Sequence, residues 1–322
     1  MKPLLLVLDD WEGCIAASPC WDRLKDVVDI RFLNVPFDTI PDDALSGVQF
    51  LMAIRERTAL TDQVFSRMPQ LKLVLQTGGH AYHIDQGSAH KRGIAIALGR
   101  RVKAPLVSVP ELTMAMMLGV MHLLPQAQRA MRDGAWPLLT GRTLNGRRLG
   151  ILGMGRHGSR VAHIAKNAFN MDVVAWARPG SNAASTDDIP RLPLDELVRT
   201  SDVVSIHLRL SPESTGLLNA ERLQAMKQGA ILINTSRGAV VNEEALVYAL
   251  TQGPLAGAGL DVYAHEPLAP GSALRSLSNV MLTPHIGWTV EEVFEEFAQI
   301  ACTQLMQYLR GELPAAELLI LT

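Results

Sequence analysis

Cysteine is scarce in this sequence. Its three thiols, Cys14, Cys20 and Cys302, are odd in number and widely spaced. That pattern excludes a disulfide framework and a clustered cysteine metal site, and it suits small apolar fillers in a reducing cytoplasm. A surplus of positive charge is also missing. The 30 Lys and Arg face 32 Asp and Glu, a net charge of −2, which offers no basic stripe for nucleic acid. No apolar run is long enough to span a bilayer. The first such run, residues 4–8, is too short for a signal peptide and reads as a strand. No low-complexity tract and no repeat of fixed period is found. The expectation is a cytoplasmic globular protein with no metal, membrane or nucleic-acid partner.

What remains is an ordinary enzyme-like balance, 48% apolar and 19% charged over 322 residues, more chain than one comfortable core needs. Short apolar runs at 4–8, 29–33, 50–54, 71–76 and 93–98 alternate with helical patterns, one of them near 21–27. Alternation of this kind predicts a parallel α/β sheet, with ligands collecting at the carboxyl ends of the strands. A basic, proline-ended stretch at 99–105 reads as a hinge. A Met-rich helix over 110–124 follows, continuing through 126–132, and its methionines read as core. The strand–helix pattern then resumes, with strands at 149–152, 173–176, 203–208, 230–234, 256–262 and 280–283. Helices are predicted at 161–169, 221–227 and 243–252. The last helix, 291–310, carries Val293, Phe294, Phe297, Ile300, Ala301, Leu305, Tyr308 and Leu309 on one face. If it returns to the first sheet, that domain is discontinuous, 1–103 with 287–322, around a second domain at 104–286.

The second domain is organised around Gly153-Met-Gly-Arg-His-Gly158. Strand, glycine turn and helix is the context in which this spacing becomes a dinucleotide fingerprint. The first glycine permits the tight turn, the second lets backbone approach a pyrophosphate, and the third lets helix and strand pack closely. Arg156 and His157 lie in the same turn, where free N–H groups face the anion. The next strand ends in Ala177 and Arg178, where a carboxylate holding the ribose 2′-hydroxyl is expected. Ser181 is close by, and Arg209 follows His207-Leu208 on the adenine lip. Cations there point to NADP(H) ahead of NAD(H), with both left open.

Three polar residues sit just past apolar strands on the expected rim: Arg237, Glu266 and His285. Taken singly, such an Arg pairs with a nearby Asp, a Glu-Pro starts a turn, and a His after Pro sits on the surface. In register with a dinucleotide turn they form a chemical set. Arg clamps a carboxylate, His passes a proton near neutral pH, and Glu on the second imidazole nitrogen sets its tautomer.

The chain resembles the D-isomer-specific 2-hydroxyacid dehydrogenase family. The matching stretches are Gly153–Gly158, Ser205-Ile-His-Leu208, Ile233-Asn-Thr-Ser-Arg-Gly-Ala-Val-Val241, Gly257-Ala-Gly-Leu-Asp-Val-Tyr-Ala-His-Glu-Pro267 and Thr283-Pro-His-Ile-Gly287. Weaker similarity covers Arg55-Glu-Arg-Thr58, Gly78-Gly79, Ile84-Asp85 and Arg92-Gly-Ile94. The resemblance implies two Rossmann-like, doubly wound parallel-sheet domains, the substrate domain flavodoxin-like and discontinuous. It implies that Arg237, Glu266 and His285 are catalytic and that Asp261 holds the nicotinamide carboxamide. His207, Leu208, Thr215, Thr235, Ser236 and Gly287 join the cofactor set, and Arg55, Gly78 and Gly79 bind the substrate carboxylate. The implied reaction moves a hydride between a nicotinamide cofactor and C2 of a small 2-oxoacid or D-2-hydroxyacid, in a homodimer paired through the cofactor domains.

Departures from the family pattern bear on the substrate. The usual Asn-x-Pro element after Gly93 is replaced by Ala97-Leu-Gly-Arg-Arg-Val-Lys-Ala-Pro105. His80 and Tyr82 beside the glycine pair are expected to shape the pocket. Arg57 next to Arg55 either receives a second anionic group or serves the surface. Glu at 266 disfavours the formate dehydrogenase branch, which carries Gln. Two alternatives stay open: a nucleotide-sensing binding protein on this fold, and an oxidoreductase of another substrate such as phosphite.

Overall fold

Short apolar strands alternating with helices bury both faces of a sheet only when helices cover each side. In the computed structural model, which describes residues 2–177 and 189–320, the chain forms two compact units. One is Met1–Ala104 with Thr289–Thr322; the other is Pro105–Trp288.

The first unit holds β1 (Leu4–Val7), β2 (Asp29–Phe32), α1 (Asp42–Leu45), β3 (Val48–Ala53), α2 (Asp62–Ser66), β4 (Leu73–Gln76), α3 (Gln86–Lys91) and β5 (Ala95–Leu98). Its strands are all parallel, in the order β2-β1-β3-β4-β5, the flavodoxin-like arrangement. Leu6, Leu51, Val74 and Ile96 build its core. The C-terminal helix Glu291–Leu309 returns to pack on β4, burying Val293, Phe294, Phe297, Ala301 and Leu305. Leu309, expected on that face, is 41% exposed instead, because the last turn overruns the core. The helix expected near 21–27 is a short 3-10 turn, Pro19–Arg23, capped by the Ser18 hydroxyl. Pro19 sets its first turn, and too little chain lies before β2 for a longer one.

The second unit runs α4 (Pro105–Met121), α5 (Leu124–Arg132), β6 (Arg148–Leu152), α6 (Arg156–Phe169), β7 (Asp172–Trp176), α7 (Leu194–Thr200), β8 (Val203–Ile206), α8 (Ala220–Gln224), β9 (Ile231–Asn234), α9 (Glu243–Thr251), β10 (Gly257–Leu260) and β11 (Val280–Leu282). Its six parallel strands lie in the order β11-β10-β9-β8-β6-β7. Alternate side chains feed two apolar layers. Leu152, Val204, Leu232 and Ala258 enter one, and Ile151, Ile233, Met116 and Met117 the other. Burying each large side chain contributes roughly 1.5–3 kcal/mol.

Two helix boundaries differ from expectation. α4 begins at Pro105 and takes Pro110 into its interior, at the cost of one backbone hydrogen bond. The helix expected to continue beyond 124 is separate, because Leu123 turns to φ +58° and Pro125 cannot extend the earlier ladder. The Met121 carbonyl accepts from the Arg142 N–H instead, at 2.8 Å. Among the described residues no single helix is long and apolar enough to cross a membrane.

Candidate active site

The sheet order reverses at β6, between β7 and β8, and an open α/β sheet leaves its ligand crevice at the carboxyl end of such a switch. The glycine turn occupies that point. Gly153 sits at φ +101°, and a Cβ there would lie 2.7 Å from the His207 carbonyl oxygen. A Cβ at Gly158 would lie 2.0 Å from the Gly153 carbonyl oxygen, so the α6 backbone rests directly on the turn. At Gly155 a Cβ would meet nothing within 4 Å. That glycine is the extended N-cap of a 14-residue helix with no side-chain cap. Arg156 is exposed at the helix start and His157 is half-buried.

Beside the turn stand two imidazoles. His207 accepts or donates through Nε2 to the Ser205 hydroxyl at 2.9 Å. Its Nδ1 and the Nε2 of His157 are buried with no hydrogen-bond partner. Burial pushes the His207 imidazole down to about 3, with His157 adding to the shift. Burial likewise lowers His157, helped by the charges of Arg156 and Arg237. Both rings are therefore neutral polar groups beside the turn. An open glycine cradle, an uncapped helix N-terminus and unpartnered buried nitrogens fit a dinucleotide pyrophosphate.

The turn after β9 is held by Asn234, the buried last residue of that strand. Its Nδ2 donates to the Arg237 carbonyl at 3.0 Å, and its Oδ1 accepts from the Ser236 N–H and hydroxyl, each at 3.0 Å. Arg237 is half-buried and donates from Nη1 to the Ser236 carbonyl at 2.7 Å. Gly238 then presses against the loop after β10: a Cβ there would lie 1.9 Å from the Tyr263 carbonyl carbon. Only glycine permits that approach, and it joins the Arg237 turn to the loop that carries Glu266.

His285 Nδ1 donates to Glu266 Oε2 at 2.7 Å, and Glu266 Oε1 accepts from the Tyr263 N–H at 3.0 Å. Burial alone would raise the Glu266 carboxyl. The His285 bond, the Tyr263 N–H and the Arg237 charge outweigh it and hold the group below its ordinary value. His285 stands at φ +56°, a conformation uncommon outside glycine that must be held by its surroundings. Asp261 supplies much of that hold. Its buried carboxylate accepts from the Thr283 hydroxyl at 2.5 Å, the Ile286 N–H at 2.8 Å and the Gly287 N–H at 2.9 Å. Tyr263, with its hydroxyl bonded to the Leu260 and Thr283 carbonyls, ties the same two loops. The Gly287 carbonyl accepts from Ser108 on α4 at 2.8 Å. Asn234, Tyr263 and Thr283 are supports not expected from the sequence, although polar residues at or just past the ends of apolar strands were the available signal; Ser108, inside α4, carried none.

The remaining predicted cofactor residues are distributed around this rim. Thr235 is buried, its hydroxyl 2.8 Å from that of Thr113 on α4. Leu208 is half-buried against Gly153, and Arg209 is exposed. Thr215 is exposed and spends its hydroxyl on the Ser211 carbonyl at 2.9 Å. Ala177 follows β7 and brings no carboxylate there, while Arg178 and Ser181 lie outside the described residues.

In the first unit, Arg55 follows β3 and the Gly78-Gly79 pair follows β4. Arg55 has φ +54°, and its N–H donates to the Thr77 hydroxyl at 2.7 Å. A Cβ on Gly78 would lie 2.5 Å from Arg55 Nη1, so the guanidinium lies on the glycine. Arg57 is engaged with Glu12 through two bonds of 2.8 and 2.6 Å, and with the Asp9 carbonyl at 2.6 Å. Of its two expected uses, the structure supports the surface ion pair.

A family model described as D-isomer specific 2-hydroxyacid dehydrogenase, NAD binding domain, matches residues 114–287. The chain is 36% identical to a glyoxylate reductase of Thermofilum pendens over 287 residues, 84% of each chain. It is 32% identical to a hydroxypyruvate reductase of Blautia hydrogenotrophica over 315 residues, covering 94% of this chain and 92% of that one. It matches the crystal structure of a D-lactate dehydrogenase from Aquifex aeolicus, complexed with NAD and lactic acid, with a TM-score of 0.78 and 26% identity. That match covers 98% of this chain and 99% of the other. With its two parallel-sheet domains, its family-model match and these relatives, the chain belongs to the D-isomer-specific 2-hydroxyacid dehydrogenase family of oxidoreductases.

Proposed function

We propose that this protein reduces a small 2-oxoacid to the D-2-hydroxyacid, and catalyses the reverse, with Arg237, Glu266 and His285 as its reacting set. The observation that carries this reading is the 2.7 Å bond from His285 Nδ1 to Glu266 Oε2. It occupies one imidazole nitrogen and leaves Nε2 as the acid. When bound, a nicotinamide dinucleotide supplies or takes up the hydride at C2. In reduction, His285 gives a proton from Nε2 to the C2 oxygen, and in oxidation neutral Nε2 accepts the hydroxyl proton. Ionised Glu266 keeps Nδ1–H in place and stabilises the charged ring. Arg237 clamps the substrate carboxylate and polarises the carbonyl. In the first unit, Arg55, Gly78 and Gly79 are assigned to substrate binding. Gly153, Gly155 and Gly158 cradle the pyrophosphate, and Asp261 meets the carboxamide while anchoring the His285 loop.

The cofactor assigned is NADP(H) ahead of NAD(H), supported by the missing carboxylate at Ala177 and by Arg178 and Arg209. A homodimer through the second unit is supported by an exposed apolar stretch that includes Met131, Trp136, Leu138 and Leu139. Three free cysteines support a reducing, cytoplasmic setting.

The test is a panel of glyoxylate, hydroxypyruvate, pyruvate and bulkier 2-oxoacids, with phosphite included, run with NADH and NADPH and followed by nicotinamide absorbance. Turnover of 2-oxoacids with higher kcat/KM for NADPH is expected. Dinucleotide binding without turnover would replace the enzyme reading with a sensing protein, and turnover of phosphite alone would replace the substrate class. A preference for NADH of about tenfold, ~1.4 kcal/mol of differential binding, would overturn the cofactor assignment.

A further inference from the structure

The Met-rich helix α4 is a core helix, and most of its buried side chains are apolar. Ser108 and Thr113 are the exceptions, at 8% and 0% exposed. The helix packs across β9, β10 and β11, the three strands whose following loops carry Arg237, Glu266 and His285. A Cβ at Gly259 of β10 would lie 2.9 Å from Met116 Cβ, so the glycine lets the helix seat closely on the sheet.

Burying a hydroxyl in such a layer is unfavourable unless it is paired. Both are paired, and each has a partner two residues from a reacting side chain. Ser108 Oγ donates to the carbonyl of Gly287, two residues past His285, at 2.8 Å. The Gly287 N–H is taken by Asp261 at 2.9 Å, so this glycine is held from both sides. Thr113 Oγ1 lies 2.8 Å from the Val109 carbonyl oxygen and 2.8 Å from the hydroxyl of Thr235, two residues before Arg237. A carbonyl only accepts, so the single Thr113 hydroxyl hydrogen goes to Val109 and Thr235 donates to Thr113. Thr113 is thus the acceptor on which the buried Thr235 hydroxyl depends. Core packing alone asks for neither hydroxyl, since Ala and Val would fill nearly the same volumes.

We propose that Ser108 and Thr113 are positioning residues, through which α4 holds the His285 loop and the Arg237 turn in one fixed relation. The inference rests on the assignment of Arg237 and His285 as reacting residues. Ser108 acts on the proton donor through the backbone of residues 285–287, and Thr113 acts on the carboxylate clamp through that of residues 235–237. Placement matters at this scale, because a displacement of about 1 Å can cost roughly a hundredfold in rate. The two contacts leave different signatures when lost. A misplaced acid slows the chemical step, whereas a misplaced clamp weakens substrate binding.

Ser108→Ala, Thr113→Val and Thr113→Ser are compared with the wild type on the best 2-oxoacid at saturating cofactor, with melting followed by circular dichroism. In Ser108→Ala, kcat falls roughly tenfold while KM for the 2-oxoacid holds, as loss of one buried hydrogen bond predicts. In Thr113→Val, that KM rises roughly tenfold and kcat changes less. Thr113→Ser keeps the hydroxyl and gives the wild-type KM, which a requirement for side-chain bulk would not allow. Thr113→Ala is expected to match Thr113→Val in KM, and it carries the comparison if the valine variant does not fold. A lowered Tm with kcat and KM unchanged, the same constant moving in both variants, or a serine variant as impaired as the valine one overturns the proposal. A wild type that turns over no 2-oxoacid fails earlier, at the parent assignment, and is distinguishable on that ground.

Discussion

At the scale of single residues, the chemistry depends on groups whose partners set their protonation. His285 stands at φ +56°, which Asn tolerates better than most residues. His285→Asn therefore keeps the backbone and removes the acid. We expect its kcat/KM for the best 2-oxoacid to fall by about 10²–10⁴-fold, with an unchanged circular dichroism melting curve. Near wild-type turnover would remove His285 from the mechanism, and the same measurement on Arg237→Ala tests the carboxylate clamp. A pH prediction follows from Glu56. Burial would raise it, but His80 and the charge of Arg55 depress its folded value from 4.5 to about 2, so the unfolded chain binds its proton first as pH falls. The stabilisation is fully present above the unfolded value and is lost between 4.5 and about 2. The gap in urea midpoint between wild type and Glu56→Gln should be constant near neutrality and close across that window. A gap that widens with acid would reverse the assignment. Solvent screens this partly exposed carboxylate, so the gap is expected to be small.

At the scale of elements, the glycine turn separates packing from binding. A Cβ at Gly158 would fall 2.0 Å from the Gly153 carbonyl oxygen, whereas one at Gly155 would enter open space. Gly158→Ala should therefore cost about 1–3 kcal/mol by overpacking and lower Tm by roughly 2–10 °C. Gly155→Ala should leave Tm within about 2 °C and raise the cofactor KM, because its methyl group stands where backbone would meet phosphate. Equal effects on Tm would contradict the division of labour. Most strands were legible from apolar runs to within a few residues, since a buried parallel strand is written as such a run. Helix ends were less so. α4 starts a turn before Pro110, and α5 breaks away at Leu123, because a proline signals a boundary without saying on which side the ladder will close.

At the scale of the whole molecule, the exposed apolar stretch of the second unit bears on assembly. Trp136 and Leu138 are 83% and 98% exposed, and adjacent apolar side chains left in water mark an interaction surface. Light scattering coupled to size exclusion should give twice the mass of one chain for the wild type. Trp136→Ser combined with Leu138→Ser should shift the protein towards the monomer. A monomeric wild type would discard the dimer proposal.

The sequence by itself determined the parallel α/β class, the glycine turn and its helix, and the family, because each is written in local spacing: apolar runs, turn residues and short motifs. The tertiary structure alone decided who meets whom. Glu266 lies 19 positions before His285, yet their side chains come within 2.7 Å, because the loops after β10 and β11 lie side by side. Asp261 was legible as a polar residue on an apolar strand, but not as the acceptor of three bonds that fix the His285 loop. Arg57 was indistinguishable in sequence from a substrate-binding arginine until Glu12 took its guanidinium, and the 3.0 Å approach of Glu56 to His80, expected only to shape the pocket, was not written in the spacing. Such pairings join residues far apart in the chain, and only sheet order and register bring them within hydrogen-bond reach.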